Sequence, residues 1–178
     1  MDTKTFATIL IPTIAVMFFV FYDGDNFQNR RKDAYEASQE SIENFQSKLK
    51  DTDRENLETV EDKIIELDYK TLVESESEEE RAVVKGDKIT VNYIGWRATD
   101  GYVFDESFKN FEDRGFSFTV GTGVIDGWSS GVVGMKQGEI RRLYIPSEKG
   151  YGITGGPDQE VIPPDTDLIF DVELIKFK

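Results

Sequence analysis

The sequence predicts an α+β fold in which a twisted antiparallel sheet wraps around one short helix. Apolar and polar residues alternate in four runs after residue 88, which is the pattern of half-buried strands, and one helical pattern lies between the runs. An uncharged apolar run and a strongly acidic stretch come first, and they predict an N-terminal membrane helix followed by a helical acidic stalk. The 178 residues have room for one ordinary domain of roughly 100–150 residues and an appendage.

The first element is an uncharged apolar segment of 17 residues, from Phe6 to Tyr22. An α-helix of this length is at the short end of what crosses a bilayer core of about 30 Å. We interpret residues 1–24 as an uncleaved single-pass anchor. A cleaved signal peptide and a buried core helix are the alternatives. The signal peptide is disfavoured because Lys4 is the only basic residue before the segment and no small-residue cleavage site follows it.

The second element is acidic, with 17 acidic and 5 basic side chains in residues 33–80. Its few apolar residues are mostly three or four positions apart, and a capping-box pattern at Thr52–Glu55 separates two groups of them. Two short amphipathic helices are therefore predicted, one with Tyr35, Ile42, Phe45 and Leu49 and one with Leu57, Val60, Ile64 and Leu67. A coiled-coil stalk would need more heptads, so a solvated helical spacer is the preferred interpretation of residues 25–61.

The strands are indicated by alternating apolar residues in runs bounded by Gly, Pro or Asp. Such alternation is typical of an antiparallel sheet with one face on the core and one face in solvent. The apolar residues of the four runs are Ile89, Val91 and Tyr93; Phe116, Phe118 and Val120; Leu143 and Ile145; and Leu168, Phe170, Val172 and Leu174.

One helix is predicted in this region, from Val124 to Val133. Asp126 suits the positive end of the helix dipole, and Gly134 is typical of a helix end. The apolar face of the helix is formed by Ile125, Trp128, Val132 and Val133. This face is expected to cover the apolar side of the sheet.

Composition excludes several classes of function. The net charge is −14, and a surface of this sign does not neutralise phosphates, so nucleic acid is not an expected partner. Cys and His are both absent, which excludes disulfides, Ser-His and Cys-His catalysis and the commonest ligands of transition metals. Gly121-Thr122-Gly123 lacks the spacing of a nucleotide-binding loop, and Asp165 and Asp167 do not form an EF-hand. We expect no metal and no cofactor.

Six short motifs follow one another between Val91 and Lys178. They are Tyr93, Phe104-Asp105, Val124-Ile125-Asp126-Gly127-Trp128, Gly150-Tyr151-Gly152-Ile153, Val161-Ile162-Pro163-Pro164 and Phe170-Asp171-Val172-Glu173-Leu174. In this order they resemble the FKBP-type, macrolide-binding peptidyl-prolyl cis-trans isomerases. The resemblance implies the same sheet around a central helix, a domain of residues 62–178, and a first strand from Ile64 to Glu74.

The resemblance also implies an active site in which an aromatic cleft takes the prolyl ring. Trp128 would form its floor, the Ile125 N–H and the Tyr151 hydroxyl would hold substrate carbonyl groups, and Asp105 would place a carboxylate near the amide. Catalytic roles are implied for Tyr93, Phe104, Asp105, Trp128, Tyr151 and Phe170. Substrate-binding roles are implied for Phe116, Val124, Ile125, Val161 and Ile162.

These observations predict a membrane-tethered prolyl isomerase that assists the folding of proline-containing polypeptides and, by resemblance, binds macrolide inhibitors. The alternative is a non-catalytic FKBP-like module that binds peptides or serves as a chaperone adaptor. The enzyme is favoured because the pocket residues Tyr93, Asp105, Trp128 and Tyr151 are all present. No site residue is expected before the domain, so residues 62–178 are expected to be active alone.

Two signals disagree about the side of the membrane. Arg30, Arg31 and Lys32 follow the apolar segment, and the positive-inside rule taken alone would hold the domain in the cytoplasm. Asp23 and Asp25 lie closer to the segment, and the N-terminal tail is very short. We expect the isomerase domain on the extracytoplasmic side.

Overall fold

The structure, a computed structural model, describes residues 36, 39–49, 59–60, 62–77, 81–109 and 115–178. The predicted anchor at residues 1–24 lies outside these residues, as does the capping box at Thr52–Glu55. Among the helices that are described, none combines the length and the apolar character needed to cross a bilayer.

In the described part of the chain, six antiparallel strands form one sheet with two α-helices beside it. The strands lie in the order β1-β5-β6-β2-β3, and β4 pairs with the first half of β2. The elements are α1 (residues 39–47), β1 (Asp68–Val73), β2 (Lys88–Arg97), β3 (Val103–Glu106), β4 (Phe116–Thr119), α2 (Asp126–Gly131), β5 (Ile140–Ile145) and β6 (Leu168–Phe177). The alternating runs fall on β2, β4, β5 and β6 as predicted. Alternation does not indicate β3, and β1 is shorter than the predicted first strand.

The inner face of the sheet carries the main core, and α2 lies against it. Alternate residues of β2 and β6 point into this core, where Trp128 of α2 and Val132 directly after it are also buried. The predicted arrangement, an antiparallel sheet closing over one short helix, is confirmed. The helix is shorter than predicted, and Val133 is 43% exposed, so this residue does not belong to the buried face. Three 3₁₀ turns at Ser107–Lys109, Ser147–Lys149 and Gly152–Thr154 were not anticipated.

The outer face of the sheet is also buried, so the prediction of a half-buried sheet is wrong for the central strands. On β6 the residues Ile169, Asp171 and Glu173 face away from the main core and are nonetheless buried. Asp171 accepts hydrogen bonds from Nε and Nη2 of Arg142 at 2.7 and 2.9 Å, and the Arg142 guanidinium lies over the Trp96 ring. Buried charges need partners of this kind. The alternation along β6 therefore separates an apolar inner face from an outer face on which the buried Asp171 is paired, rather than a buried face from a solvated one.

Helix α1 covers one part of this outer face, which makes the solvated-spacer interpretation wrong for residues 39–49. Ile42, Phe45 and Leu49 are buried against Leu72, Phe108 and Ile140. Each fully buried side chain of this kind is worth roughly 1.5–3 kcal/mol. An ion pair adds to the contact, with Lys48 Nζ 2.5 Å from Oε1 of Glu173. Three residues of the predicted apolar face, Ile42, Phe45 and Leu49, pack against the sheet, and the fourth, Tyr35, lies outside the described residues.

Residues 59–60 and 62–67 cover the other part of the outer face without forming the predicted second helix. The Val60 N–H donates to the Ala98 carbonyl at 2.9 Å, and the Ile64 N–H donates to Oδ2 of Asp167 at 2.8 Å. Ile64 is buried with Trp96 and Ile169. Because the sheet and its loops satisfy these backbone groups, the described residues of this segment have no regular secondary structure despite their helical spacing.

Candidate functional site

A cavity of about 210 Å³ opens between the inner face of the sheet and the N-terminal end of α2. This volume is smaller than the roughly 300–1,000 Å³ of pockets that enclose drug-sized ligands, so it suits one residue-sized group inserted from outside. It is lined by Tyr93, Phe104, Asp105, Phe116, Gly123, Val124, Ile125, Trp128, Tyr151 and Phe170.

Trp128 forms the centre of an aromatic cluster. Its ring meets Tyr93 and Phe170 edge-on, with centroids 4.9 and 5.2 Å apart, and Phe118 and Phe116 complete the surround at 5.5 and 6.0 Å. Edge-to-face pairs at these distances are favourable. The indole is therefore held rigidly by its neighbours, and it presents an apolar surface to the cavity.

Glycines allow the aromatic side chains to come together. A Cβ on Gly127 would lie 2.4 Å from Ile145, and a Cβ on Gly131 would lie 2.9 Å from Leu143, so α2 can rest directly on β5. On β2, a Cβ on Gly95 would lie 2.4 Å from the Phe170 ring and 3.1 Å from the Phe104 ring. The position of α2 and the packing of the Phe170 and Phe104 rings therefore both require glycine at these positions.

The polar side of the cavity is built from two tyrosines and one carboxylate. The Tyr93 hydroxyl donates to Oδ2 of Asp105 at 2.5 Å. Burial and this hydrogen bond together raise the pKa of Tyr93 far above its ordinary value. Burial, followed by the negative charge of Asp105, raises the pKa of Tyr151. Both hydroxyl groups therefore stay protonated well above neutral pH and can act as hydrogen-bond donors, as the Tyr93 hydroxyl does toward Asp105.

Sequence comparison assigns this arrangement to a family. The profile described as FKBP-type peptidyl-prolyl cis-trans isomerase matches residues 79–175, which is more than half of the chain and includes every residue that lines the cavity. The chain belongs to this family. It is a peptidyl-prolyl cis-trans isomerase, an activity that several curated relatives carry in their names.

Relatives from distant organisms share this FKBP domain. Peptidyl-prolyl cis-trans isomerase FPR2 of Saccharomyces cerevisiae is 48% identical over 93 residues, which are 52% of this chain and 67% of that protein. An FK506-binding protein of Neisseria meningitidis serogroup C is 48% identical over 97 residues, 54% of this chain and 84% of that protein. Human peptidyl-prolyl cis-trans isomerase FKBP2 is 45% identical over 95 residues, 53% of this chain and 63% of that protein.

Within the FKBP domain, most residues predicted from the sequence meet at the cavity. All six predicted catalytic residues line it, as do Phe116, Val124 and Ile125. Val161 and Ile162 are not among the residues that line the cavity, and their substrate-binding roles stay predictions. Ile162 is buried against the core, and its carbonyl accepts the Gly156 N–H at 2.9 Å. The loop thus folds inward onto Ile162 and uses it as an anchor.

Three residues of the FKBP site were not predicted. Gly123 lines the cavity, and Gly95 carries the close approach of two aromatic rings. The Oγ of Ser107 accepts the backbone N–H of Tyr93 at 2.9 Å. A glycine inside a strand pattern is a known signal for close backbone approach, so Gly95 could have been found. Nothing in the sequence around Ser107 marks its role.

Proposed function

We propose that the cavity accelerates rotation about X-Pro bonds by taking the prolyl ring onto Trp128 and removing water from the preceding amide. The observation that supports this is the make-up of the cavity, in which six aromatic side chains surround one carboxylate, Asp105. No His or Cys exists in the chain, and the rotation needs none because no proton or electron is transferred.

The energetic argument rests on the amide itself. Rotation has a barrier of roughly 18–20 kcal/mol because the amide must lose its resonance. The twisted amide is less dipolar and less hydrated than the planar one, so a dry aromatic surface disfavours the planar ground state more than the twisted state. A barrier lowered by about 5–8 kcal/mol gives about four to six decades in rate.

The polar groups have separate roles in this proposal. The Asp105 carboxylate faces the twisted amide, and the Tyr93 hydroxyl keeps the carboxylate in one orientation through its hydrogen bond. The Tyr151 hydroxyl and the backbone N–H of Ile125, directly before α2, bind substrate carbonyl groups. Donors that are fixed before the substrate arrives need no reorganisation during the rotation.

Catalysis is tested by cis-trans exchange of a proline tetrapeptide with the full chain in detergent. Asp105→Asn keeps the shape of the side chain and removes its charge, so it should lower kcat/KM at least about tenfold, equivalent to about 1.4 kcal/mol in the barrier. Asp165→Asn makes the same change in an exposed loop and should leave the rate unchanged. A folded wild-type chain that exchanges at the buffer rate would refute the mechanism.

We further propose that the cavity binds macrolides whose pipecolyl ring takes the place of proline over the indole. The relatives named FK506-binding protein support this through their identity in the matched region. Such a ligand should inhibit competitively and change the fluorescence of Trp128. Saturating ligand without inhibition or spectral change would contradict the cavity as its site.

For the whole chain we propose a single-pass anchor at residues 1–24, with the isomerase domain on the extracytoplasmic side and clients that fold close to the membrane. The uncharged segment from Phe6 to Tyr22 supports the anchor. Asp23 and Asp25 beside the segment support the orientation. In this arrangement the domain meets polypeptides at the membrane surface.

Cell fractionation and protease treatment test this location. Full-length chain should sediment with membranes and resist extraction at high salt, and protease added to intact cells should degrade the isomerase domain. A cytoplasmic protein of known location serves as the control for intact membranes. Protection of the domain until permeabilisation would reverse the orientation, and recovery in the soluble fraction would remove the anchor.

A further inference from the structure

A contact between two phenylalanine rings joins α1 to the segment beside the active site. Phe45 of α1 is 1% exposed, and its ring lies 5.6 Å from the ring of Phe108, at an angle of 57°. Phe108 is 6% exposed and belongs to the same buried cluster. Because Phe108 follows β3 by two residues, α1 lies directly over the end of the strand that carries Phe104 and Asp105.

The residue beside Phe108 connects this contact to the catalytic tyrosine. Ser107 is buried, and its Oγ accepts the backbone N–H of Tyr93 at 2.9 Å. The Tyr93 hydroxyl in turn donates to Asp105 at 2.5 Å. Tyr93 is thus tied to the short segment 103–109 at two points, once through its backbone and once through its side chain.

This segment begins with a short strand at the edge of the sheet. Within the described residues β3 has four residues and pairs with β2 alone, through Ile94–Glu106, Gly95–Asp105 and Trp96–Val103, with an irregularity between the last two pairs. Short edge strands are held by few backbone hydrogen bonds. The burial of Phe108 under α1 therefore adds a restraint directly after the C-terminal end of β3, beyond the strand pairing and the packing of Phe104 on Phe170.

We infer that Phe108 is a positioning residue of the isomerase site and that Phe45 of α1 holds it in place. The segment before the catalytic domain then sets the orientation of Asp105 and Tyr93 without touching the substrate. This inference rests on the proposed roles of those two residues. It adds to the expectation that residues 62–178 are active alone: without α1, their activity should be lower than that of the full chain.

The test uses the full chain in detergent and the variant Phe45→Ala. Two controls match it: Glu43→Ala changes an exposed residue on the same helix, and Val83→Ala truncates a buried residue outside the cluster around Phe108. We expect kcat for a proline tetrapeptide to fall about tenfold in Phe45→Ala, or about 1.4 kcal/mol in the barrier, with KM changed less than about twofold. Both controls should keep kcat within about twofold of the wild type, and Phe45→Leu should restore most of the lost rate.

A spectroscopic readout separates positioning from a general loss of stability. The ¹H and ¹⁵N shifts of the Tyr93 amide should change in Phe45→Ala, because this N–H bonds to Ser107, and should not change in Val83→Ala. If Phe45→Ala does not fold, Phe108→Leu replaces it and should show the same amide shift with a smaller loss of kcat. A folded variant with wild-type kcat and an unchanged Tyr93 amide would overturn the inference. Full activity of Asp105→Asn would instead show that the proposed site is wrong, and the inference would fall with it.

Discussion

Tyr93 contacts three other residues of the site through its backbone, its hydroxyl group and its ring. Its backbone is held by Ser107, its hydroxyl by Asp105 and its ring by Trp128. Burial and the Asp105 carboxylate raise the pKa of Tyr93, so the phenol ionises at a higher pH in the folded state than in the unfolded state. The same residue therefore links catalysis to a pH-dependent part of stability.

This linkage predicts a specific loss of stability at alkaline pH. The unfolded Tyr93 ionises near the ordinary tyrosine pKa of 10.0, whereas the folded residue keeps its proton. Its contribution to stability is therefore complete below pH 10 and is lost as the pH rises above it. The free energy of unfolding should fall with a slope of up to about 1.4 kcal/mol per pH unit for one proton. Tyr93→Phe should lack this part of the slope in urea unfolding between pH 9 and 11. Equal slopes in the two proteins would contradict the prediction, because lysine titration is common to both.

For single residues, the sequence predicted the side chains that line the cavity better than the residues that hold those side chains in place. The aromatic residues and Asp105 belong to recognisable motifs, and nine of the eleven predicted site residues line the cavity. Val161 and Ile162 carry the same kind of motif, but the path of their loop depends on Gly155 and Gly156 packing against Ile162. Ser107 could not be found because a serine contact is decided by tertiary geometry alone.

Among the elements, α2 depends on an unusually close approach to the sheet. Gly127 and Gly131, one helical turn apart, face Ile145 and Leu143 of β5. Residues with side chains at these positions would push the helix outward. Because Trp128 lies between the two glycines in the sequence, the packing of α2 on β5 also sets the position of the Trp128 ring in the cavity.

Gly131→Ala is therefore expected to destabilise the domain although alanine favours helices. The new Cβ would lie 2.9 Å from Leu143, and overpacking of this kind costs about 1–3 kcal/mol. Ser130→Ala is the matched control, because residue 130 is exposed on the same helix, and it should change stability by less than about 0.5 kcal/mol. Urea unfolding monitored by circular dichroism measures both. Equal stability of Gly131→Ala and the wild type would mean that the helix can move without cost.

The strands were predictable where alternation is long and failed where it is short. β2 and β6 each contain ten residues, and their inward-facing side chains follow the predicted period. β3 has four residues and no alternation that stands out from a loop. The burial of Asp171 and Glu173 was also missed, since charged residues in alternate positions indicate solvent unless their partners are known.

At the scale of the whole molecule, α1 packs against the sheet of the isomerase domain. The apolar residues of α1 were recognised in the sequence, but their partners Leu72, Phe108 and Ile140 lie on three separate elements. No local pattern could connect them. A helix whose apolar face has no visible partner in sequence is easily taken for a spacer, and here the sheet provides that partner.

The ion pair between Lys48 and Glu173 gives a measurable test of this long-range contact. Lys48→Met should lower the free energy of unfolding by about 1–2 kcal/mol, because Glu173 is buried and, among the described side chains, would keep the bond from Asn92 alone. Adding Glu173→Gln should recover part of the loss. Lys63→Met is the control: its partner Glu148 is exposed, so the change should have no measurable effect. Equal effects of the two lysine substitutions would show that α1 does not rest on the sheet in solution.

The place of β6 in the sheet also determines when this protein can fold during synthesis. β6 lies between β5 and β2, so the sheet remains in two separate parts until the ribosome has made residues 168–177. Lys48 and Glu173 are 125 positions apart, an interval of roughly 6–25 s at translation rates of about 5–20 residues per second. Until β6 is made, the β1-β5 part of the sheet, which carries the α1 partners Leu72 and Ile140, is not joined to the β2-β3 part that precedes Phe108. A nascent chain that stops before residue 168 contains every residue of the cavity except Phe170 and has no closed sheet to hold them together.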